Sequence, residues 1–316
     1  YSLIEAMTIA AYAVGAENGW IFVRGEYPRS GKRLNVAIEK ARAAGYLGEN
    51  ILGREGFNFD IEVRMGAGAY ICGEETALFE AIEGKRGFPR IKPPFPTTNG
   101  LFDKPTAANN VETLVAMLAA LKMGSDAWRA LGTEKSPGTK LFCLSGNISK
   151  PGTYEVPFGL TINELINMAG GIPNNKAIKG VLMGGAAGVF VGPDKLDVPL
   201  TYEDARENSF PLGSGVIMVF DEDADIGEAL YQLSRFFAHE SCGKCFPCQL
   251  GTQRQMEILD RINHPNGNGG ARATDKQILL DVGFTMTETS LCGLGQTAAS
   301  AVMSAIELWP ELVEET

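Results

Sequence analysis

Three cysteines fall within seven residues, in Glu240-Ser241-Cys242-Gly243-Lys244-Cys245-Phe246-Pro247-Cys248, and a fourth lies in Leu291-Cys292-Gly293-Leu294-Gly295. A C-x2-C-x2-C loop presents three thiolates from one tight turn, as three corners of a cubane iron–sulfur cluster require, and the second loop offers a fourth. Its glycines let the backbone come close and turn amide donors toward the sulfides. Structural zinc is the competing chemistry, but zinc sites usually pair two C-x2-C knuckles or mix cysteine with histidine. Here the thiols divide three plus one, and the chain has only two histidines, His239 and His264. The spacing favours a [4Fe–4S] cluster on Cys242, Cys245, Cys248 and Cys292. Cys72 and Cys143 have no partner at ligand spacing and read as packing residues, since free cysteine is among the most buried residue types.

A second candidate is the run from Gly66 to Thr76, which follows a strand-like segment and opens a helix-like one. Gly66-Ala67-Gly68 invites a dinucleotide fingerprint, but G-x-G-x-x-G needs glycine where this chain has Ile71, so that motif is rejected. What remains is a glycine-rich crossing that sets two adjacent carboxylates, Glu74 and Glu75, at a helix N-terminus. The macrodipole alone would favour acids there. Downstream, Lys92-Pro93-Pro94-Phe95 is either an ordinary rigid loop or a clamp for a phosphate and a ring.

The elements that must position these residues can be read from periodicity. Leu3, Met7, Ala10 and Val14 predict a helix over 1–14, and Leu34, Ile38 and Ala41 another over 32–44. Strands are expected at Trp20–Glu26 and Phe57–Met65, and a helix through Leu78, Phe79 and Ile82 to Gly84. Together these argue for an α/β domain. Five prolines between Lys85 and Asn110 exclude regular helix, and a loop of that length is usually functional. Asn110 then caps a helix with an apolar stripe of Val111, Leu114, Val115, Leu118 and Leu121. From 137 to 223, short β-like runs at Lys140–Leu144, Gly152–Val156, Gly180–Met183 and Gly215–Phe220 surround one helix, Thr161–Ala169. That texture resembles a β-grasp module. Helix dominates from Ile226 onward, interrupted by a glycine- and asparagine-rich connector over 264–274. The expected domains are 1–136, 137–223 and 224–316.

Composition bounds the function. The chain has 316 residues, 45% of them hydrophobic and 21% charged, as in an ordinary globular protein. Its net charge of −10 argues against nucleic acid or an anionic membrane as the main partner. No apolar run reaches the length of a membrane span, and clustered thiols without a secretion signal indicate a reducing compartment. The expected location is therefore cytoplasmic, either soluble or peripheral on the cytoplasmic side of a membrane complex.

Taken in order, Gly66–Leu78, Lys92-Pro93-Pro94-Phe95-Pro96, Asn109-Asn110-Val111-Glu112-Thr113-Leu114, the triple-cysteine loop and Leu291-Cys292 resemble the NADH-binding flavoprotein subunit of respiratory complex I. The same resemblance extends to the diaphorase subunits of NAD-linked hydrogenases and formate dehydrogenases. It implies a flavin- and nucleotide-binding α/β domain, a β-grasp module and a C-terminal helical domain carrying the cluster. Tyr70, Gly73, Glu74 and Glu75 would line the flavin and nicotinamide pocket. Lys92 and Phe95 would contact the dinucleotide, Phe95 by stacking on adenine, and Asn109, Asn110 and Thr113 would hold FMN.

The implied cofactors are FMN, NAD(H) and the [4Fe–4S] cluster. The implied partners are a thioredoxin-like [2Fe–2S] subunit and a larger iron–sulfur subunit. Hydride would pass from NADH to FMN, and single electrons onward to the cluster. Glu75, with Glu74, is the expected catalytic carboxylate: its charge would oppose extra negative charge on reduced flavin and help NAD⁺ depart. Members of this family also carry a glycine-rich FMN-phosphate loop and an acidic stretch near the N-terminus. This chain begins after both, so it is expected to be a piece of a longer protein. The alternative is an iron–sulfur relay or scaffold subunit that binds no flavin.

Overall fold

Two short parallel strands organise the first part of the chain, because their alternating side chains serve two different cores. A computed structural model describes residues 1–264 and 270–314, so the middle of the expected 264–274 connector lies outside the described residues. The chain divides into two compact units, Tyr1–Trp128 and Arg129–Thr316.

In the first unit the order is α1 (Ser2–Val14), β1 (Asn18–Val23), α2 (Pro28–Ala43), β2 (Asp60–Met65), α3 (Glu75–Ile82), α4 (Val111–Met123) and α5 (Ser125–Arg129). β1 and β2 pair in parallel, with Ile21 opposite Val63. Parallel neighbours need a crossover, and α2 lies within it. Ile21, Val23 and Ile61 pack with Ile4, Ala11, Ile38 and Ala41 from α1 and α2. Trp20 and Phe22 pack instead with Phe79 and Ile82 of α3 and with Leu101. The α/β layering expected from periodicity is present.

Two local expectations are corrected. The strand expected from Phe57 starts at Asp60, because Phe59 exchanges backbone hydrogen bonds with Gly48, and the Ile51 amide donates to the Phe57 carbonyl. On α4, Leu118 is the only one of the five stripe residues that is buried, and Val111, Val115 and Leu121 are exposed. Within this unit α4 packs chiefly on α1, and a single neighbouring helix covers one line of side chains rather than a broad stripe.

In the second unit, β3 (Thr139–Gly146), β4 (Gly152–Pro157), α6 (Ile162–Met168), β5 (Ile178–Met183), β6 (Val189–Val191), α7 (Tyr202–Glu207) and β7 (Val216–Asp221) build a five-stranded sheet. Its order is β4-β3-β7-β5-β6, with β3 and β7 parallel and the other pairs antiparallel. A capping box between Thr161 and Glu164 starts α6. The sequence reading lacked β6 and α7, which are too short for periodicity to register.

Here too the strands face two ways. Val181, Met183, Ile217 and Val219 pack with Ile162, Leu165 and Ile166 of α6. Leu182, Phe190 and Phe220 pack with Ile226, Leu230, Ile258, Val302 and Ile306. These last belong to α8 (Ile226–Glu240), α9 (Phe246–Asn263) and α12 (Ser300–Leu308), and α10 (Asp275–Thr289) and α11 (Gly293–Thr297) complete the bundle. Among the described residues no helix is long and apolar enough to cross a membrane.

Candidate functional site

Two distant turns of the second unit meet because the helices that carry them pack side by side. Cys242 lies in the turn after α8, Cys245 is the N-cap of α9, and Cys248 is in the first turn of that helix. Cys292 is the N-cap of α11, two residues after α10 ends at Ser290. α9 and α10 approach closely at Gly251, where a Cβ would sit 2.5 Å from Met286 Cγ. Arg261 of α9 pairs at 2.7 Å with the buried carboxylate of Asp275, at the other end of α10. Gln255 of α9 donates to Ser234 Oγ on α8 and to the Ala298 carbonyl, both at 3.1 Å. These contacts bring the start of α9 against the end of α10.

The gathered thiols share one electrostatic environment. Burial pushes the Cys248 thiol up to about 11; the Ser241 hydroxyl opposes this, while Cys245, Cys292 and Cys242 add to it. Burial also raises Cys292, against hydrogen bonds from the Leu294 and Gly295 amides, with Cys242 and Cys245 contributing to the rise. The four sequence-selected cysteines therefore act on one another across the site. Among the described residues, no three His, Cys, Asp or Glu side chains are arranged to hold a single metal ion. A zinc ion draws its sulfurs to one point about 2.3 Å away, whereas a cubane takes one thiolate on each of its irons. A donor set of four thiols divided three plus one suits the polynuclear centre.

The walls are tight. A Cβ at Gly295 would stand 2.5 Å from Ser290 Oγ and 2.8 Å from Cys248 Cβ, so glycine is required for the Cys292 loop to lie against Cys248. Ser241 Oγ is 3.3 Å from Cys248 Sγ. Ser290 is 7% exposed, and its hydroxyl has no hydrogen-bond partner among the described residues. A buried unpaired hydroxyl costs roughly 1–3 kcal/mol. The sequence reading passed over both serines. Their signal was position, one residue before Cys242 and two before Cys292.

In the first unit, the Tyr70–Gly73 turn delivers Glu74 to the N-cap of α3. Its Oε2 accepts from the Thr76 and Ala77 amides, both at 2.9 Å, and from the Thr76 hydroxyl. Burial works against the Glu74 charge, but the Thr76 hydroxyl, the Ala77 amide and Lys92 outweigh it and hold the carboxyl below its usual range. Lys92 Nζ also bonds Glu75 and lies 3.3 Å from Glu74 Oε1. The Glu75 contact, opposed by desolvation and helped by Glu74, raises the Lys92 pKa. Thus Glu74, Glu75 and Lys92 come together, an ion-paired trio that spacing alone did not reveal. Glu74 also does the capping that acids at this position commonly do.

Arg90 ties the proline-rich loop to α3. It bonds Glu80 at 2.6 Å, Glu83 at 2.9 Å and the Gly100 carbonyl at 2.8 Å, and its amide donates to Thr76 Oγ1. Glu83 further accepts from Lys85 and from the Phe102 amide. Phe95 stands out from this loop, 57% exposed. Beside Glu74, Gly73 faces open space where a Cβ would meet nothing within 4 Å. Asn110 caps α4 by accepting from the Glu112 amide, and Asn109, Asn110 and Thr113 are all exposed at the start of that helix. Cys72 is buried with its sulfur against Gly87, as expected of a packing residue, whereas Cys143 is only partly buried on β3, 3.5 Å from the Thr153 hydroxyl.

The second unit gathers four thiols on a helical bundle that follows a β-grasp-like sheet, and the first unit is an α/β layer. Residues 1–119 match the Nuo51 FMN-binding domain, 141–186 the SLBB domain and 228–316 the NADH-ubiquinone oxidoreductase-F iron-sulfur binding region. FMN and a [4Fe–4S] cluster are the cofactors of the first and last of these regions. An NADH-quinone oxidoreductase subunit of Streptomyces coelicolor is 42% identical over 315 residues, covering 100% of this chain and 69% of that one. The NADP-reducing hydrogenase subunit HndC of Solidesulfovibrio fructosivorans is 44% identical over 312 residues, covering 97% of this chain and 62% of that one. A crystal structure of an NAD⁺-reducing [NiFe]-hydrogenase in the H2-reduced state superposes with a TM-score of 0.89 at 36% identity, over 99% of this chain and 51% of that one. The chain belongs to the NADH-quinone oxidoreductase family whose members carry this FMN-binding domain and iron–sulfur region. It spans about three fifths of the hydrogenase subunit's length and about half of the chain in the solved structure.

Proposed function

We propose that this chain is part of an NADH-oxidising flavoprotein subunit. Its substrate is NADH, and it acts as an NADH:acceptor oxidoreductase within a multisubunit redox complex. Bound FMN supplies hydride acceptance and release of electrons one at a time, and the cluster supplies one-electron transfer. Cys242, Cys245, Cys248 and Cys292 are the cluster ligands. The supporting observation is that packing sets the Cys292 loop against Cys248, so that four thiols from two turns far apart in sequence share one partly buried site.

The remaining roles belong to the first unit. Phe95 offers an exposed ring for the adenine, and Lys92 can exchange one carboxylate for a dinucleotide phosphate. Tyr70 and Gly73 line the approach to Glu74 and Glu75, and Asn109, Asn110 and Thr113 hold the flavin. Glu75 keeps its negative charge near the hydride-transfer site and so favours departure of NAD⁺. We retain the three-module division 1–136, 137–223 and 224–316. The partners we propose are a thioredoxin-like [2Fe–2S] subunit and a larger iron–sulfur subunit, on the cytoplasmic side.

Anaerobically isolated protein provides the test, by iron content, flavin absorption and NADH-dependent ferricyanide reduction. All three are expected. Iron without flavin bands and without NADH oxidation would replace this reading with a flavin-free electron relay. Glu75→Gln should strengthen inhibition by NAD⁺, and unchanged rate with unchanged inhibition would remove the role given to Glu75.

A further inference from the structure

We propose that Ser290 donates its hydroxyl hydrogen to the iron–sulfur centre and thereby sets its reduction potential. This role presupposes the ligation by Cys242, Cys245, Cys248 and Cys292 given above. Several other hydroxyls of the bundle donate to the helix that carries them, and Thr287 of α10 donates to the Gln296 carbonyl of α11. Ser234 donates to Leu230, Thr252 to Cys248, Thr289 to Thr285 and Thr297 to Gly293. Ser290 follows Thr289 directly as the C-cap of α10, but its hydroxyl does not take the carbonyl four residues back that those helical hydroxyls use. Its amide and carbonyl are both used, the first on Met286 and the second by Gln296. Only the hydroxyl lacks a partner among the described residues.

Its position identifies the missing acceptor. The Cβ site of Gly295 is 2.5 Å from Ser290 Oγ and 2.8 Å from Cys248 Cβ, so the hydroxyl and one proposed ligand face the same spot on the loop that carries another, Cys292. The acceptors that an iron–sulfur centre adds to such a pocket are sulfides and cysteine thiolates. Hydrogen bonds to those sulfurs are among the factors that set cluster potentials. Reduction adds one negative charge, and a donor stabilises the more negative state more strongly. Ser290 therefore raises the potential. Ser241, 3.3 Å from Cys248 Sγ, already occupies the equivalent place on the first loop. The two cysteine loops would then each carry one serine donor.

The test is a potentiometric titration of the cluster signal in the holoprotein, comparing wild type with S290A and measuring iron in both. S290A is expected to keep its iron and to lower the potential. At the wild-type midpoint the ratio of reduced to oxidised cluster should fall about tenfold, which is about 59 mV for a one-electron couple. Loss of one exchangeable proton coupled to the reduced cluster should accompany the shift. Iron-loaded S290A with an unmoved potential and unchanged proton couplings would overturn the role. If S290A fails to hold iron, S290T decides: iron at the native potential supports the hydroxyl, and loss there too shows packing alone and overturns it. Wild-type protein without iron would overturn the cluster ligation itself, a result distinct from all of these.

Discussion

The cysteine pocket of the second unit and the Glu74–Glu75–Lys92 group of the first treat charge in opposite ways. In the pocket, burial raises the Cys248 and Cys292 thiols above their ordinary value, and the neighbouring cysteines add to the rise. The proposed metal centre would offset that cost by neutralising several thiolates at once. In the first unit the carboxylates already have a lysine and two amides, so the group is balanced by the chain itself. A ligand arriving there competes with existing ion pairs, which suits reversible binding of a nucleotide. Under the roles proposed above, a resident cofactor and a passing substrate would leave different electrostatic marks.

Removing one thiol tests the first half of that contrast most severely. Cys292→Ala should abolish most of the cluster absorbance and iron while leaving flavin bands in place. Retained iron at wild-type stoichiometry would contradict the assignment of Cys292. Gly295→Ala attacks the same pocket by volume. The new methyl meets Ser290 and Cys248 inside contact distance, and overpacking of this kind costs about 1–3 kcal/mol. A lowered melting temperature together with lower iron is expected, and calorimetry with iron analysis checks both.

Glu83 sharpens the comparison from the other unit. Lying at the end of α3, it is held by Lys85, Arg90 and the Phe102 amide. Burial opposes its charge, but these partners overcome that and lower its pKa to about 2. A lowered carboxylate pKa stabilises the fold fully above the unfolded value near 4.5 and loses that contribution as pH falls through about 2. Glu83→Gln should therefore destabilise by about 1–3 kcal/mol at neutral pH, with the gap from wild type closing between pH 4.5 and 2. Thermal melts across that range would show a constant gap if the ion pairs were irrelevant.

The smallest stability effect is expected from Lys92→Met. Exposed ion pairs contribute within about 1 kcal/mol, so the melting temperature should barely move. The KM for NADH should rise severalfold. An unchanged KM would show that Lys92 serves only to neutralise Glu74 and Glu75.

The four cysteines proposed as cluster ligands and the helix–strand alternation were legible in the residues, because ligand spacing and periodicity are local properties. Cys242, Cys245 and Cys248 lie on one turn, so their grouping needs no fold, and α1 ends at Gly15 where a left-handed residue is required. The first turn of α3 was legible only in part. Acids were expected there, but the capture of both by Lys92 depends on where Arg90 anchors the intervening loop. The short elements β6 and α7 carried too few residues for a period to emerge.

What local order could not supply was the convergence of the two cysteine turns and the environment it creates. Cys292 lies 44 residues beyond Cys248 in the chain, and their juxtaposition depends on α9 packing against α10 at Gly251 and Met286. The unpaired Ser290 hydroxyl follows from how α10 terminates against that pocket, and the exposed face of α4 follows from how little its own unit places over it. Residue types and spacing specify which atoms can bind. Burial, hydrogen-bond satisfaction and proton affinity depend on neighbours brought from elsewhere in the chain, and only packing in three dimensions chooses those.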